Sequence, residues 1–202
     1  MDLCALKSLI QKINEHIGER QLILFGSSSL FASFHSKTPQ QIGVETTLDA
    51  DFFLDPDDED FRRRIHAIFG REQDYHLAHG YYADFVDLRL AEAFPKGWRE
   101  RLVPMPGFSN VVALHPMDMA VSKVNATARS RLDLRFARRK TDRGLKDILT
   151  LVTLIRAGHI DACQLAEQVF QFNHEPACIV ECASVLKEID SLVATPREKF
   201  RR

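Results

Sequence analysis

The chain has 202 residues, 45% of them hydrophobic and 27% charged, and its formal net charge is −1. That length supports one large domain or two small ones, each with a proper core. The totals argue against a membrane-spanning protein, since no run approaches ~18–20 apolar residues, and against a uniformly basic nucleic-acid binder.

The opening stretch, MDLCALKSLIQ, lacks the plan of a signal peptide. The four cysteines (Cys4, Cys163, Cys178, Cys182) have no zinc-type spacing, so a cytoplasmic chain with free thiols is expected. Cys178 and Cys182, four apart on a helical pattern, are read as packing residues, and the close pair His76 and His79 as no metal site. Charge is unevenly spread. Residues 49–60 hold seven acids and no base, which suits cation binding. Residues 129–143 hold seven bases against two acids, which suits a polyanion.

Leu3, Leu6, Ile10, Ile13 and Ile17 recur at helical spacing before Gly18, so the chain opens with an amphipathic helix. The short apolar run Leu22 to Phe25 then reads as a buried strand that breaks at Gly26 into Ser27-Ser28-Ser29. Ser29 to His35 is expected to be a short helix. Thr46 to Leu54 forms a second strand, with Thr47, Asp49, Asp51 and Phe53 on one face because side chains alternate with period two. Asp55-Pro56-Asp57-Asp58 reads as a turn and helix cap, followed by a helix with Phe61, Ile65, Ile68 and Phe69.

Tyr75 to Leu77 and Tyr82 to Leu90 read as a hairpin around Gly80. Asp87, between Val86 and Leu88, then falls inside a strand, where an unpaired carboxylate is costly and needs a reason. Trp98, in the loop Phe94 to Trp98, reads as an anchoring core contact. Val103 and Val111–Leu114 make a last hairpin, and Pro116 opens a helix with Met117, Ala120, Val121 and Val124 on its apolar face. The rest is helical: one helix capped at Thr141 or Asp142 and stopped by Gly158, one opened by Asp161, and one opened by Pro176.

Two carboxylates on one strand face repel unless a cation lies between them, and Mg²⁺ favours carboxylate and phosphate oxygens. A glycine-serine turn lets backbone approach a phosphate closely. Gly26-Ser27, a variable loop and then Thr47-x-Asp49-x-Asp51 resemble the signature of the nucleotidyltransferase superfamily with the DNA polymerase beta-like fold. The long loop between the two parts is closer to the antibiotic and the abortive-infection toxin branches, and Glu45 stands where those often carry Arg.

The resemblance implies an α+β fold: a small mixed β-sheet with flanking helices over residues 1–115, and a helical part over 116–202 packed on it. It implies Mg²⁺ (or Mn²⁺) held by Asp49, Asp51 and a third strand acid, for which Asp87 is the first candidate and Asp84 the second. Gly26, Ser27, Ser28 and Thr47 would position the triphosphate of an NTP. Lys123, in Ser122-Lys123-Val124-Asn125-Ala126, would contact its phosphates, and Asp147, after Lys146, would complete the site. Lys123 also has an independent basis, as a cation on an otherwise apolar helical stretch. The basic segment (Arg129, Arg131, Arg135, Arg138, Arg139, Lys140, Arg143) is read as a seat for an RNA acceptor such as tRNA, or as a solvated helix face.

The expected activity is transfer of a nucleoside monophosphate to an acceptor hydroxyl, in a toxin-like setting with an antitoxin partner. Two other readings stay open at this point. One is modification of a small aminoglycoside-type acceptor, and the other is a degenerate, non-catalytic nucleotide-binding or antitoxin protein.

Overall fold

The computed structural model describes residues 1–44, 47–132 and 140–195, with only the backbone described for 140–143. The protein is α+β, with a five-stranded mixed sheet, flanking helices and a helical C-terminal part. It divides into two compact units, residues 1–119 and 120–202. Among the described residues, no helix is long and apolar enough to cross a membrane.

Helix α1 (Leu3–Ile17) is capped by the Asp2 side chain, which accepts from the Ala5 N–H, and it ends at Gly18 with φ +63°. Its buried face is Leu6, Leu9, Ile10, Ile13 and Ile17, the spacing that a 3.6-residue period dictates. Strand β1 (Gln21–Phe25) is buried through Leu22, Ile23 and Leu24. A 3-10 turn over Ser27–Ser29 and a single turn of helix, α2 (Leu30–Ser33), follow it. Strand β2 (Asp49–Asp55) then returns antiparallel to β1, with Asp51 opposite Phe25 and Phe53 opposite Ile23.

Helix α3 (Glu59–Phe69) starts from an Asp58 cap on the Phe61 N–H. A short helix, α4 (Asp74–His79), stopped by Gly80 in the left-handed conformation, leads into β3 (Tyr82–Phe85). Strand β3 lies parallel to β2, so the hairpin expected around Gly80 is not formed. A parallel pair needs a crossover, and α3 and α4 supply it. Strands β4 (Val103–Pro104) and β5 (Val111–Ala113) form the expected hairpin, and β5 pairs parallel with β1. The strand order is β3-β2-β1-β5-β4, which leaves β1 central and β3 at one edge.

The two faces of β2 carry different chemistry. Ala50, Phe52 and Leu54 are buried, and Phe52 stacks on Phe85 of β3 with ring centroids 5.9 Å apart. On the other face, Asp49 and Asp51 lead into Phe53, which stacks on Phe25 at 4.2 Å. Phe94 abuts both of those rings and Trp98 abuts Phe94 at 5.4 Å, so the lone tryptophan anchors an aromatic layer.

Helix α5 (Pro116–Leu132) runs from the first unit into the second, where α6 (Lys140–Arg156), α7 (Ala162–Phe172) and α8 (Pro176–Ala194) complete the fold. Helix α6 is already running at Lys140, so Thr141 and Asp142 lie inside it and do not cap it. Asp161 caps α7 by accepting from the Gln164 N–H at 2.8 Å. Arg156 bonds the Leu192 and Val193 carbonyls, which satisfies acceptors that the end of α8 would otherwise leave open. Cys178 and Cys182 are fully buried beside Asn125 and Asn173, with the Cys178 thiol donating to Asn173 Oδ1 at 3.1 Å. Burial pushes the Cys182 thiol up to about 12, so it packs as a neutral group.

Among the described residues of the first unit, one charge is fully buried. Asp118 has 0% exposure and takes a two-pronged pair from Arg101, Nε to Oδ2 at 2.9 Å and Nη2 to Oδ1 at 2.8 Å. Removing the guanidinium strands a carboxylate in a dry site, which is far costlier than the pair's net contribution. Arg101→Met is therefore expected to destabilise the chain by about 3 kcal/mol. Urea denaturation checks this, and an unchanged midpoint would contradict it.

Candidate metal centre

The carboxylate of Asp51 on β2 faces the serine turn directly. Gly26 has φ +66° and ψ −160°, a conformation that only glycine adopts readily. A Cβ built on it would overlap Asp51 Oδ2, so the backbone of the turn presses against that carboxylate. On the neighbouring residues, Ser28 Oγ donates to the Asp49 carbonyl at 3.4 Å and Ser29 Oγ to the Gly26 carbonyl at 2.7 Å. Ser28 and Ser29 are fully buried, so their hydroxyls tie the turn to β2, and the nucleotide contact expected of Ser28 is not open to it. Ser27 is 8% exposed, and no side-chain hydrogen bond engages its hydroxyl among the described residues.

The third acid of the cluster comes from β3. Parallel pairing puts Asp84 beside Asp51 and Tyr82 beside Asp49, all on one face. One carboxylate oxygen from each of Asp49, Asp51 and Asp84 lies within 4.8 Å of the other two. All three residues are half-buried. A Mg²⁺ ion holds its oxygens at ~2.0–2.1 Å in an octahedron, so adjacent ligands are ~2.9 Å and opposite ones ~4.2 Å apart, and the three oxygens would draw together around one. Three hard oxygen donors with no thiol or imidazole among them fit Mg²⁺ or Mn²⁺ by type. The Tyr82 hydroxyl borders the same cluster. Burial raises its pKa, and the charges of Asp49, Asp84 and Asp51 raise it further.

Asp87, the first candidate for the third acid, lies outside the cluster. Strand β3 stops at Phe85, and Asp87 caps a 3-10 helix over Leu88–Ala93 by accepting from the Arg89 N–H at 2.9 Å. Arg89 Nε reaches the same carboxylate at 3.0 Å and Arg62 Nη2 reaches it at 3.4 Å. Bonding to Arg89 holds the Asp87 carboxyl well below the usual range. The acid is thus satisfied by cations of its own chain, and a local side-chain-to-backbone bond ends the strand.

Thr47 lies before β2 and not within it. Its N–H bonds the Val44 carbonyl at 3.1 Å. It is 2% exposed, and its hydroxyl has no partner among the described residues. An unsatisfied buried hydroxyl costs about 1–3 kcal/mol, which a bound group could recover. Glu45 lies outside the described residues.

In the second unit, Lys123 and Asp147 are bonded to one another, the ammonium of α5 to the carboxylate of α6. Their side chains are 12% and 23% exposed, so the apolar setting of Lys123 is answered by a carboxylate of its own unit. Of the basic segment, Arg129 is exposed, while Arg131 pairs with Glu188 at 2.6 Å and Glu181 at 3.3 Å on α8. Arg135, Arg138 and Arg139, with the side chains of Lys140 and Arg143, lie outside the described residues.

No family of known proteins matches this chain, and no curated protein or solved structure matches it either. The functional reading therefore rests on the site's own chemistry.

The fit between Gly26 and Asp51 is open to a direct test. Gly26→Ala places a methyl group on the carboxylate and forces a strained backbone, expected to cost about 1–3 kcal/mol for the conformation alone. Chemical denaturation should show at least that loss. A variant as stable as the parent would mean that the turn does not press on Asp51.

Proposed function

We propose that the protein is a Mg²⁺-dependent nucleotidyltransferase that moves a nucleoside monophosphate from an NTP to an acceptor hydroxyl. The observation that carries this reading is the convergence of three carboxylates, one of them pressed against a glycine-serine turn. A solvated edge face would leave such acids apart, because like charges gain nothing by crowding. Crowding is expected where cations are to be held.

Divalent ions bound there would draw charge from the transferring phosphoryl group and lower the pKa of the attacking hydroxyl. Asp49, Asp51 and Asp84 would hold the ions. Gly26 lets the backbone of the turn approach phosphate oxygens, and the Ser27 hydroxyl can donate to one of them. Aromatic packing of Phe53 on Phe25 fixes the strand register under the acids, so the ligands are oriented before substrate arrives. The remaining catalytic effect would be positioning and charge neutralisation, as phosphoryl transfer requires.

The RNA acceptor and the toxin-antitoxin setting rest on the resemblance and on the basic segment 129–143. Lys123 and Asp147 enter this proposal as a mutually neutralised pair, so the direct phosphate contact expected of Lys123 is left out of it.

Calorimetric titration with Mn²⁺ separates the third acid from its rival. The parent and Asp87→Asn are expected to bind the ion alike, while Asp51→Asn and Asp84→Asn lose at least tenfold in affinity. Each labelled NTP with Mg²⁺ and total tRNA should then label the RNA with the parent and leave it unlabelled with Asp51→Asn. Full transfer by Asp51→Asn would overturn the site, and metal binding lost only in Asp87→Asn would restore Asp87 as a ligand.

A further inference from the structure

The strand order assigns the two flanks of the acid cluster different jobs, and this inference rests on the transferase reading above. The serine turn leaves β1, on one side of β2, and Tyr82 with Asp84 stands on β3, on the other. In-line displacement needs the attacking oxygen opposite the leaving pyrophosphate. With the triphosphate at the serine turn, the acceptor must come in over β3.

Residues on that flank suit a flat aromatic group. Tyr82 lies in register with Asp49, is half-buried, and is met edge-on by the His76 ring of α4 at 4.9 Å and 65°. Its N–H bonds the Leu48 carbonyl at 3.2 Å, which ties the start of β3 to the residue before β2. Arg71 is close enough to act electrostatically on the Tyr82 phenol, against the field of the acids. Strand β3 is the edge of the sheet, so no further strand covers this side among the described residues. A nucleobase gains from an aromatic face and tolerates a guanidinium beside it.

We propose that Tyr82, steadied by His76, is the platform on which the terminal nucleobase of a nucleic-acid acceptor stacks. Tyr82 is a positioning and specificity residue in this scheme. It seats the end of the acceptor so that the terminal hydroxyl lies over Asp84 and Asp49, and it takes no part in the proton or phosphoryl transfer.

The test is binding of a short single-stranded RNA, labelled at its 5′ end and followed by fluorescence anisotropy in Mg²⁺, against the same RNA with an abasic 3′ terminus. Stacking of one base corresponds to roughly five- to 150-fold in affinity. The parent is expected to prefer the intact terminus by about tenfold, Tyr82→Phe to keep that preference and Tyr82→Leu to lose it. His76→Ala should fall between them, which guards against a Tyr82→Leu chain that does not fold. Equal binding of the two RNAs by the parent, or an undiminished preference in a folded Tyr82→Leu, would overturn the assignment. Calorimetry of Mg²⁺-ATP on the parent keeps the two readings apart. ATP bound without a terminal-base preference sinks the platform alone, while a Tyr82-dependent preference without ATP binding supports the platform and sinks the transferase reading.

Discussion

A single close contact organises the first unit: the backbone of Gly26 pressed against the carboxylate of Asp51. It requires a residue with no side chain, held at φ +66° directly after a strand buried through Leu22, Ile23 and Leu24. It also requires β2 to lie antiparallel to β1 in the register that sets Asp51 opposite Phe25. A slip of one residue would turn both acids into the apolar face and bring Ala50 and Phe52 out. The burial of Phe52 and Leu54 on one side and the stack of Phe53 on Phe25 on the other prevent that slip. The core thus does more than stabilise the unit, because it sets the direction in which the charges point.

Crowded acids oppose stability, and several acids outside the cluster are met by bases of the chain. Asp118 is more deeply buried than any acid of the cluster, yet it is fully matched by Arg101. Asp57 and Asp87 share Arg62, and Asp147 is answered by Lys123. The cluster of Asp49, Asp51 and Asp84 is the described group in which three carboxylates converge at metal-ligand spacing. Crowding of like charges at such a spacing is a local conflict, and that is where function is expected to sit.

Much of this architecture is legible in the residue order, because it follows from period and punctuation. The 3.6-residue stripe of α1, the Gly18 stop, the Asp58 and Asp161 caps and the Asp49–Asp51 face all depend on neighbours within a few positions. The third acid depends on something less local. Val86, Leu88 and Leu90 continue the alternation of β3, so the strand reads as running through Asp87. A competing bond from the Asp87 carboxylate to the Arg89 N–H ends it instead. The signal was present as an acid two residues before an arginine, but alternation outweighed it. In the same way Tyr75-His76-Leu77 reads as a strand by composition, while Asp74 in the first turn and Gly80 at the stop mark the short helix that forms. Which strand lies beside β2, and therefore which acid joins its pair, is a matter of sheet order that no local pattern encodes. Lys123 and Asp147 show a related limit, since each is visible as a charge in an apolar setting but their mutual pairing appears only when α5 and α6 pack.

The central claim is that cations and a triphosphate share the space between the β2 acids and the serine turn. A crystal structure of the protein grown with Mn²⁺ and a non-hydrolysable NTP analogue, with data collected at the manganese edge, tests it most directly. The account predicts anomalous density bridging Asp49, Asp51 and Asp84, with analogue phosphates against Gly26 and Ser27. Manganese bound at another cluster, or phosphates seated away from that turn, would contradict it.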